Sequence, residues 1–178
     1  MRIIAGEAKG RRLAAPRAGT RPFTGRAKEA VFSSLHQHVP GGRVLDLFAG
    51  SGSLGLEALS RGAESVVFVE NDRGAIAVLA DNVTAVGLGG SVVNADVERF
   101  LERDQRTYTL VFVDPPCAFD DERVNRVLGL VEARVTADAH VIVHRRVGGR
   151  APESDNLRWA DRRRYGDSEI WILEKEQP

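Results

Sequence analysis

The chain has 178 residues, 43% apolar and 28% charged, a balance that excludes a disordered or collagen-like polypeptide and a length that suggests one domain, able to bury about 70% of its unfolded surface without staples. The lone cysteine, Cys117, excludes an internal disulfide and a multi-cysteine zinc site, no apolar run nears the roughly 18 residues of a membrane span, and residues 1–7 turn polar too early for a signal peptide, so a soluble, cytoplasmic protein is expected. A formal net charge of zero conceals a division: residues 1–30 hold eight basic and two acidic side chains, a net +6, while the other 148 hold 17 basic and 23 acidic, a net −6.

In chain order, Gly6, Gly10, Pro16, Gly19 and Pro22 preclude long helices at the start, leaving room for short strands around residues 3–5 and 11–13. Thr24 can cap a helix reaching about His38, with Val31, Phe32 and Leu35 on its buried side. Regular alternation follows: a strand at 43–48, a glycine turn, a helix at 53–61, and a strand at 66–70. Asp72 caps a helix whose Ile76, Leu79, Ala80 and Val83 recur at helical spacing up to Gly87. Strands at 91–94 and 109–114 flank a short helix at 97–102, and Asp121 opens another helix with Val124, Val127, Leu128 and Val131 inward. A strand at 140–144 and a hairpin of strands at 157–162 and 168–174 close the chain. Strands alternating with helices predict an α/β fold with a parallel sheet covered on both faces; the helix-free closing hairpin requires one antiparallel strand. A boundary at about residue 40 separates a basic extension, residues 1–40, from the sheet-bearing residues 41–178.

Gly50, Gly52 and Gly55 form G-x-G-x-x-G between a predicted strand and helix, the setting in which this pattern binds nucleotides. A dinucleotide would place its diphosphate over this turn, at the helix N-terminus. Asp46, at the end of the preceding strand, would then oppose it as a like charge, costing about several kcal/mol in a cleft. A ligand bearing an ammonium and no phosphate, such as S-adenosylmethionine, turns Asp46 into an attraction. Glu70, 24 residues on, can accept both ribose hydroxyls, and Asp96 with the Val97 amide can meet an adenine. Helix capping is the competing role for each acid, above all for Asp72 and Asp96.

Asp114-Pro115-Pro116-Cys117 follows the strand beside the glycine turn, where ligands of open α/β sheets bind. The prolines force the chain out of the sheet. An Asp114 oxygen and the Pro115 carbonyl can accept N–H bonds from an exocyclic amine and align it with a methyl donor; alignment supplies roughly 7–11 kcal/mol, and a nucleic-acid base must leave its stack to arrive there. Lys9, Arg11, Arg12, Arg21, Arg26 and Lys28 provide the basic arm that phosphates call for, although a solvated face explains such charge as well. A second basic cluster, Arg158 and residues 162–164 with Trp159 and Tyr165, suits RNA or an exposed edge strand equally. The four histidines suggest no metal site: His36 and His38 sit on different helix faces, and His140 and His144 lack further ligands.

Asp-Pro-Pro after the fourth strand, together with Asp46-x-Phe48-Ala49-Gly50-Ser51-Gly52, resembles the class I S-adenosylmethionine-dependent amino-methyltransferases. Residues 1–6, 9–13, Arg21-Pro22, Glu29 and 54–62 narrow the resemblance to the RsmD-type family, the small-subunit ribosomal RNA (guanine-966-N2)-methyltransferases. The resemblance implies a Rossmann-like seven-stranded sheet with the last strand antiparallel and a small N-terminal extension. It implies S-adenosylmethionine held by Asp46, Phe48, Ala49, Gly50, Ser51, Gly52, Glu70, Asn71, Asp96 and Val97, and catalysis by Asp114, Pro115, Pro116 and Cys117. It also implies a guanine of 16S rRNA in the small subunit as target; a monomer with neither metal nor membrane is expected beside it. Cys117 stands where the family has a stacking Tyr or Phe, with Phe119 the next ring along; Phe23 and Gly25 replace a usual threonine and aspartate. Two other classes compete: a nicotinamide oxidoreductase, which Asp46 and the proline corner oppose, and a non-catalytic RNA-binding relative, motivated by Cys117. Within the enzyme class, adenine N6 or a protein glutamine is the alternative target.

Overall fold

Right-handed crossovers between parallel strands place helices over both faces of a sheet, and the computed structural model, which describes residues 1–15 and 23–175, has this form. Its elements are α1 (Gly25–Ser34), β1 (Arg43–Leu47), α2 (Ser53–Ser60), β2 (Ser65–Glu70), α3 (Arg73–Val86), β3 (Ser91–Asn94), α4 (Val97–Arg103), β4 (Tyr108–Val113), α5 (Asp121–Glu132), β5 (Val135–Arg146), β6 (Leu157–Tyr165) and β7 (Ser168–Lys175). The sheet order is β3-β2-β1-β4-β5-β7-β6. Strand β7 lies between β5 and β6 and runs antiparallel to both, so six strands are parallel and the last is reversed, as expected. Thr24, Asp72, Asp96 and Asp120 each cap a helix by accepting a backbone N–H from three residues on.

Three expectations need correction. The short strands expected around residues 3–5 and 11–13 are a single antiparallel bridge, Arg2 with Arg12. Helix α1 ends at Ser34 and reaches His38 only through turns, because residues 35–42 lead into a glycine-rich corner. The strand expected at 140–144 runs from Val135 to Arg146, since hydrogen bonding to β4 and β7 carries it past its apolar stretch.

Strand residues alternate between the faces. Val44, Val66, Phe68, Leu110, Phe112 and Ile142 meet α1, α2 and residues 1–15 in one core, to which Ile3, Ala8, Leu13, Val31 and Phe32 belong. Leu45, Leu47, Val67, Val111, Val113 and Val143 pack in a second core with Val97, Leu101, Val127 and Leu128 of α4 and α5. The N-terminal segment is therefore packed onto the sheet. Glu57 of α2, fully buried, ties it down by accepting from the Ile4 and Ala5 amides and pairing with Lys28 at 3.2 Å and Arg61 at 2.8 Å. No helix of the described residues is long and apolar enough to cross a membrane.

Candidate active site

At the carboxyl ends of β1, β2, β4 and β5, the residues that would continue the first core are polar instead of apolar: Asp46, Glu70, Asp114 and His144. Parity alone sends them to the face covered by α1 and α2. The β1–α2 turn is built for close approach. Gly52 caps α2 in the left-handed region at φ 77°, and a Cβ on Gly55 would stand 2.3 Å from the Phe68 ring, so the helix can lie against β2 only with glycine there. Phe48 also has a positive φ, 59°, a backbone state that non-glycine residues adopt mainly where the surroundings enforce it.

Asp46 is 2% exposed and accepts the Gly55 amide at 2.9 Å. Burial pushes its carboxyl up to about 8; the Gly55 hydrogen bond opposes the shift, and the charges of Asp114 and Glu70 add to it. Glu70 is held by three amides: Gly50 at 2.9 Å on one oxygen, Asn71 at 2.8 Å and Asp72 at 2.9 Å on the other. It therefore clamps the glycine turn while facing the same cavity. That cavity, about 750 Å³, is lined by Asp46, residues 48–51, residues 70–72, residues 114–117 and the end of β5. Asp96 and Val97, expected at an adenine, do not line it. Asp96 caps α4 and pairs with Arg123 at 3.7 Å, and Val97 is buried in the second core.

At the proline corner, Asp114 Oδ1 lies 2.6 Å from His144 Nδ1, and the Phe23 ring packs on the imidazole at 4.7 Å. Cys117 is exposed beside them. Phe119 is engaged elsewhere, edge-on to Phe48 at 5.2 Å and beneath the Arg123 guanidinium at 3.8 Å. The sequence offers His144 only as a histidine without ligands; its role as Asp114's partner follows from the β4–β5 register, which no local pattern encodes. Asn82 is likewise silent in the sequence. Buried on α3, it donates to Ser51 O at 2.9 Å and exchanges hydrogen bonds with Ala14, joining the glycine turn to the N-terminal segment. A polar residue on the inward side of an amphipathic helix is the signal that could have found it.

A second basin, about 850 Å³, adjoins the first through Met1, Phe23 and Ser53, and Arg2, Lys9, Arg12 and Arg26 stand along it. Two of the residues expected on RNA have other positions. Arg11 donates to the Ala85 and Val86 carbonyls at 2.7 and 2.8 Å, closing the C-terminus of α3. Lys28 also borders the basin but is 3% exposed, its ammonium turned to Glu57 and the Arg2 carbonyl; burial lowers its pKa against the pull of Glu57. Arg21 lies outside the described residues. In the late cluster, Arg162 pairs with Glu169, and Arg163 with Asp161 and the Ala30 carbonyl.

The arrangement has known parallels. The family profile described as conserved hypothetical protein 95 matches residues 1–174. The Bacillus subtilis protein YlbH, named as a candidate rRNA methyltransferase, is 39% identical over 138 residues, 74% of either chain. Ribosomal RNA small subunit methyltransferase D of Escherichia coli is 42% identical over 118 residues, which span 65% of this chain and 60% of the relative. Among solved structures, yhhF of Escherichia coli, described as a candidate methyltransferase, superposes with a TM-score of 0.89 at 32% identity, covering 99% of this chain and 98% of that one. A hypothetical protein of Thermus thermophilus gives 0.86 at 35%, covering 98% and 99%.

Proposed function

We infer the function from one premise: the chain belongs to the conserved hypothetical protein 95 family of RsmD-type methyltransferases. We propose that it methylates the exocyclic N2 amine of a guanine in 16S rRNA of the small ribosomal subunit, guanine-966 by family resemblance, with S-adenosylmethionine as donor. The observation that carries this reading is the convergence of three carboxylates, Asp46, Glu70 and Asp114, on one cavity that opens beside a basic basin. Its carboxylates disfavour a diphosphate and suit a ligand whose charged end is net cationic. The donor supplies an electrophilic methyl on a sulfonium.

In this reading Asp46 holds the ammonium of the donor, residues 48–52 back its amino-acid end, and Glu70 and Asn71 face the ribose. Asp114 and the Pro115 carbonyl accept the two N–H groups of the target amine, turning its lone pair toward the methyl. The amine nitrogen bonds the methyl carbon as the carbon–sulfur bond breaks, with the electron pair left on sulfur. The surplus proton passes to Asp114. Rigidity is the main contribution of the corner: two prolines fix both acceptors before the amine arrives, so little reorganisation is needed in the transition state. Lys9, Arg12, Arg26 and Arg2 meet the flanking phosphates.

Labelled donor mixed with small subunits from a strain lacking the enzyme, followed by digestion of the RNA and identification of the modified nucleoside, tests this. N2-methylguanosine supports the reading; N6-methyladenosine or label in protein replaces it. Asp114→Ala is expected to retain donor binding and to lose turnover.

A further inference from the structure

We propose that His144 is the positioning residue of the site: its Nδ1–H holds one oxygen of Asp114 and so presents the other to the acceptor amine. The proposal rests on the reading of Asp114 as the group that accepts the amine.

The placement follows from topology. Strands β4 and β5 are parallel, with Val113 beside Val143, so the next residues, Asp114 and His144, leave the sheet side by side on one face. As a carboxylate, ready for the amine, Asp114 only accepts, so the proton of the 2.6 Å contact then sits on Nδ1 of His144, and a donor shared with a charged carboxylate gives a short, strong bond.

The chemistry of the corner makes an outside donor necessary. Glu70, at the end of β2, is held by the amides of the two residues that follow it, Asn71 and Asp72. At the equivalent end of β4 those two positions are Pro115 and Pro116, which have no N–H. The prolines that stiffen the backbone thus deprive the carboxylate of its nearest donors, and its χ angles are left to whatever reaches it from β5. Neighbouring cations do not serve. Arg145 is committed to the Phe119 carbonyl and to Asp121; the exposed Arg146 also lines the cavity, but the contact made to the Asp114 side chain comes from His144; and Asp46 and Glu70 are acids.

His144 is itself fixed. Its backbone pairs with β7 opposite Ile170, its side chain is 12% exposed, and its ring is packed by Phe23, which is 6% exposed and stands just before α1. A ring held from behind by Phe23 and ahead by Asp114 has one orientation. Because Phe23 also borders the basic basin, the same contact ties the RNA-facing segment to the acceptor carboxylate.

The test compares His144→Ala, His144→Asn, Asp114→Asn and the His144→Ala/Asp114→Asn double variant on small subunits lacking the modification. Calorimetry of donor binding and thermal unfolding accompany the rates. We expect donor affinity within about twofold of wild type in His144→Ala and His144→Asn, since His144 acts only on the acceptor side. kcat should fall roughly 10- to 100-fold in His144→Ala, the scale of a misplaced reacting group. His144→Asn, which keeps an N–H at the δ position, should recover most of that loss, and the double variant should be no slower than Asp114→Asn alone. Unchanged kcat in His144→Ala, no recovery by asparagine, or a double variant slowed additively would overturn the proposal. If His144→Ala does not fold, His144→Leu, of similar bulk and without a donor, takes its place. A wild-type protein inactive on the subunits overturns the reading of Asp114 itself, a result distinct from any of these.

Discussion

Glu57 offers the sharpest test of how the N-terminal segment is held. Its carboxylate is fully buried and accepts from Ile4 N at 2.8 Å and Ala5 N at 3.0 Å, with Lys28 at 3.2 Å and Arg61 at 2.8 Å. Glu57→Leu removes the partner of an ammonium that is 3% exposed and leaves two amides unsatisfied, while the partly exposed Arg61 can turn to water. Breaking a buried pair on one side costs about 3–5 kcal/mol. For a chain of this length that corresponds to a fall in Tm of roughly 6–20 °C, at 2–4 °C per kcal/mol. Lys28→Met combined with Glu57→Leu removes the stranded charge and should regain part of the loss, because only the orphaned amides remain. Urea titration of the wild type, both single variants and the double variant measures the coupling directly. Hydrogen exchange should show the amides of Ile4 and Ala5 losing protection first. A single variant within about 1 kcal/mol of wild type, or a double variant no more stable than Glu57→Leu, would refute the account of Glu57 as the anchor.

Asp46 makes two pH effects. Its carboxyl is raised from 3.8 to about 8 in the fold, so the native state keeps a proton that the unfolded chain releases from about pH 4 upward, and stability falls as pH rises through that window. Asp46→Asn should flatten this slope in thermal unfolding between pH 5 and pH 8 and should abolish donor binding. Binding of a cationic donor to the wild type near pH 7 should expel close to one proton, seen as a dependence of calorimetric heat on buffer ionisation; heat independent of buffer would refute it. For RNA, neutralising Arg12 and Arg26 together should lower the salt slope of binding by roughly 0.7–0.9 for each phosphate no longer neutralised. Arg11→Ala should leave that slope unchanged and instead lower stability by loosening the end of α3.

The pattern of residues makes the sheet and the glycine turn legible because their signals are local: an apolar run, a cap, a glycine within ten residues of one another. The fates of the basic residues are not local. Arg11 finds its carbonyls 74 and 75 residues away, and the Ala5 amide finds Glu57 across 52. Charge counting places Arg11 and Lys28 on RNA because a count registers sign and carries no information about destination. Asp96 has the two roles between which its sequence position leaves the choice open: it follows a strand where a ligand is invited, and the helix start behind it takes one of its oxygens while Arg123 stands 3.7 Å from the other. His144 needs the register of two strands before its partner can be read.

The opposed signs of the two basins give the site its selectivity in the proposed reaction. Arg2, Lys9, Arg12 and Arg26 outnumber Glu29 along one, and Asp46, Glu70 and Asp114 face the other, where Arg145 is turned to Asp121 and Arg146 is exposed, with Met1, Phe23 and Ser53 at their junction. A polyanion is drawn to the first, and the carboxylates of the second oppose it, which favours phosphates staying outside while an uncharged base crosses. A base in place adds its N–H donors to Asp114, which offsets part of the mutual repulsion of the three carboxylates. Replacing Asp114 by asparagine should therefore do more than slow transfer. With one of the charges that raise the Asp46 carboxyl gone, that carboxyl should fall below about 8 and the proton expelled on donor binding should diminish. An Asp114→Asn protein that releases as many protons as the wild type at pH 7 would mean that the two carboxylates do not sense one another, and the acidic cavity would lose its role as a barrier to phosphate.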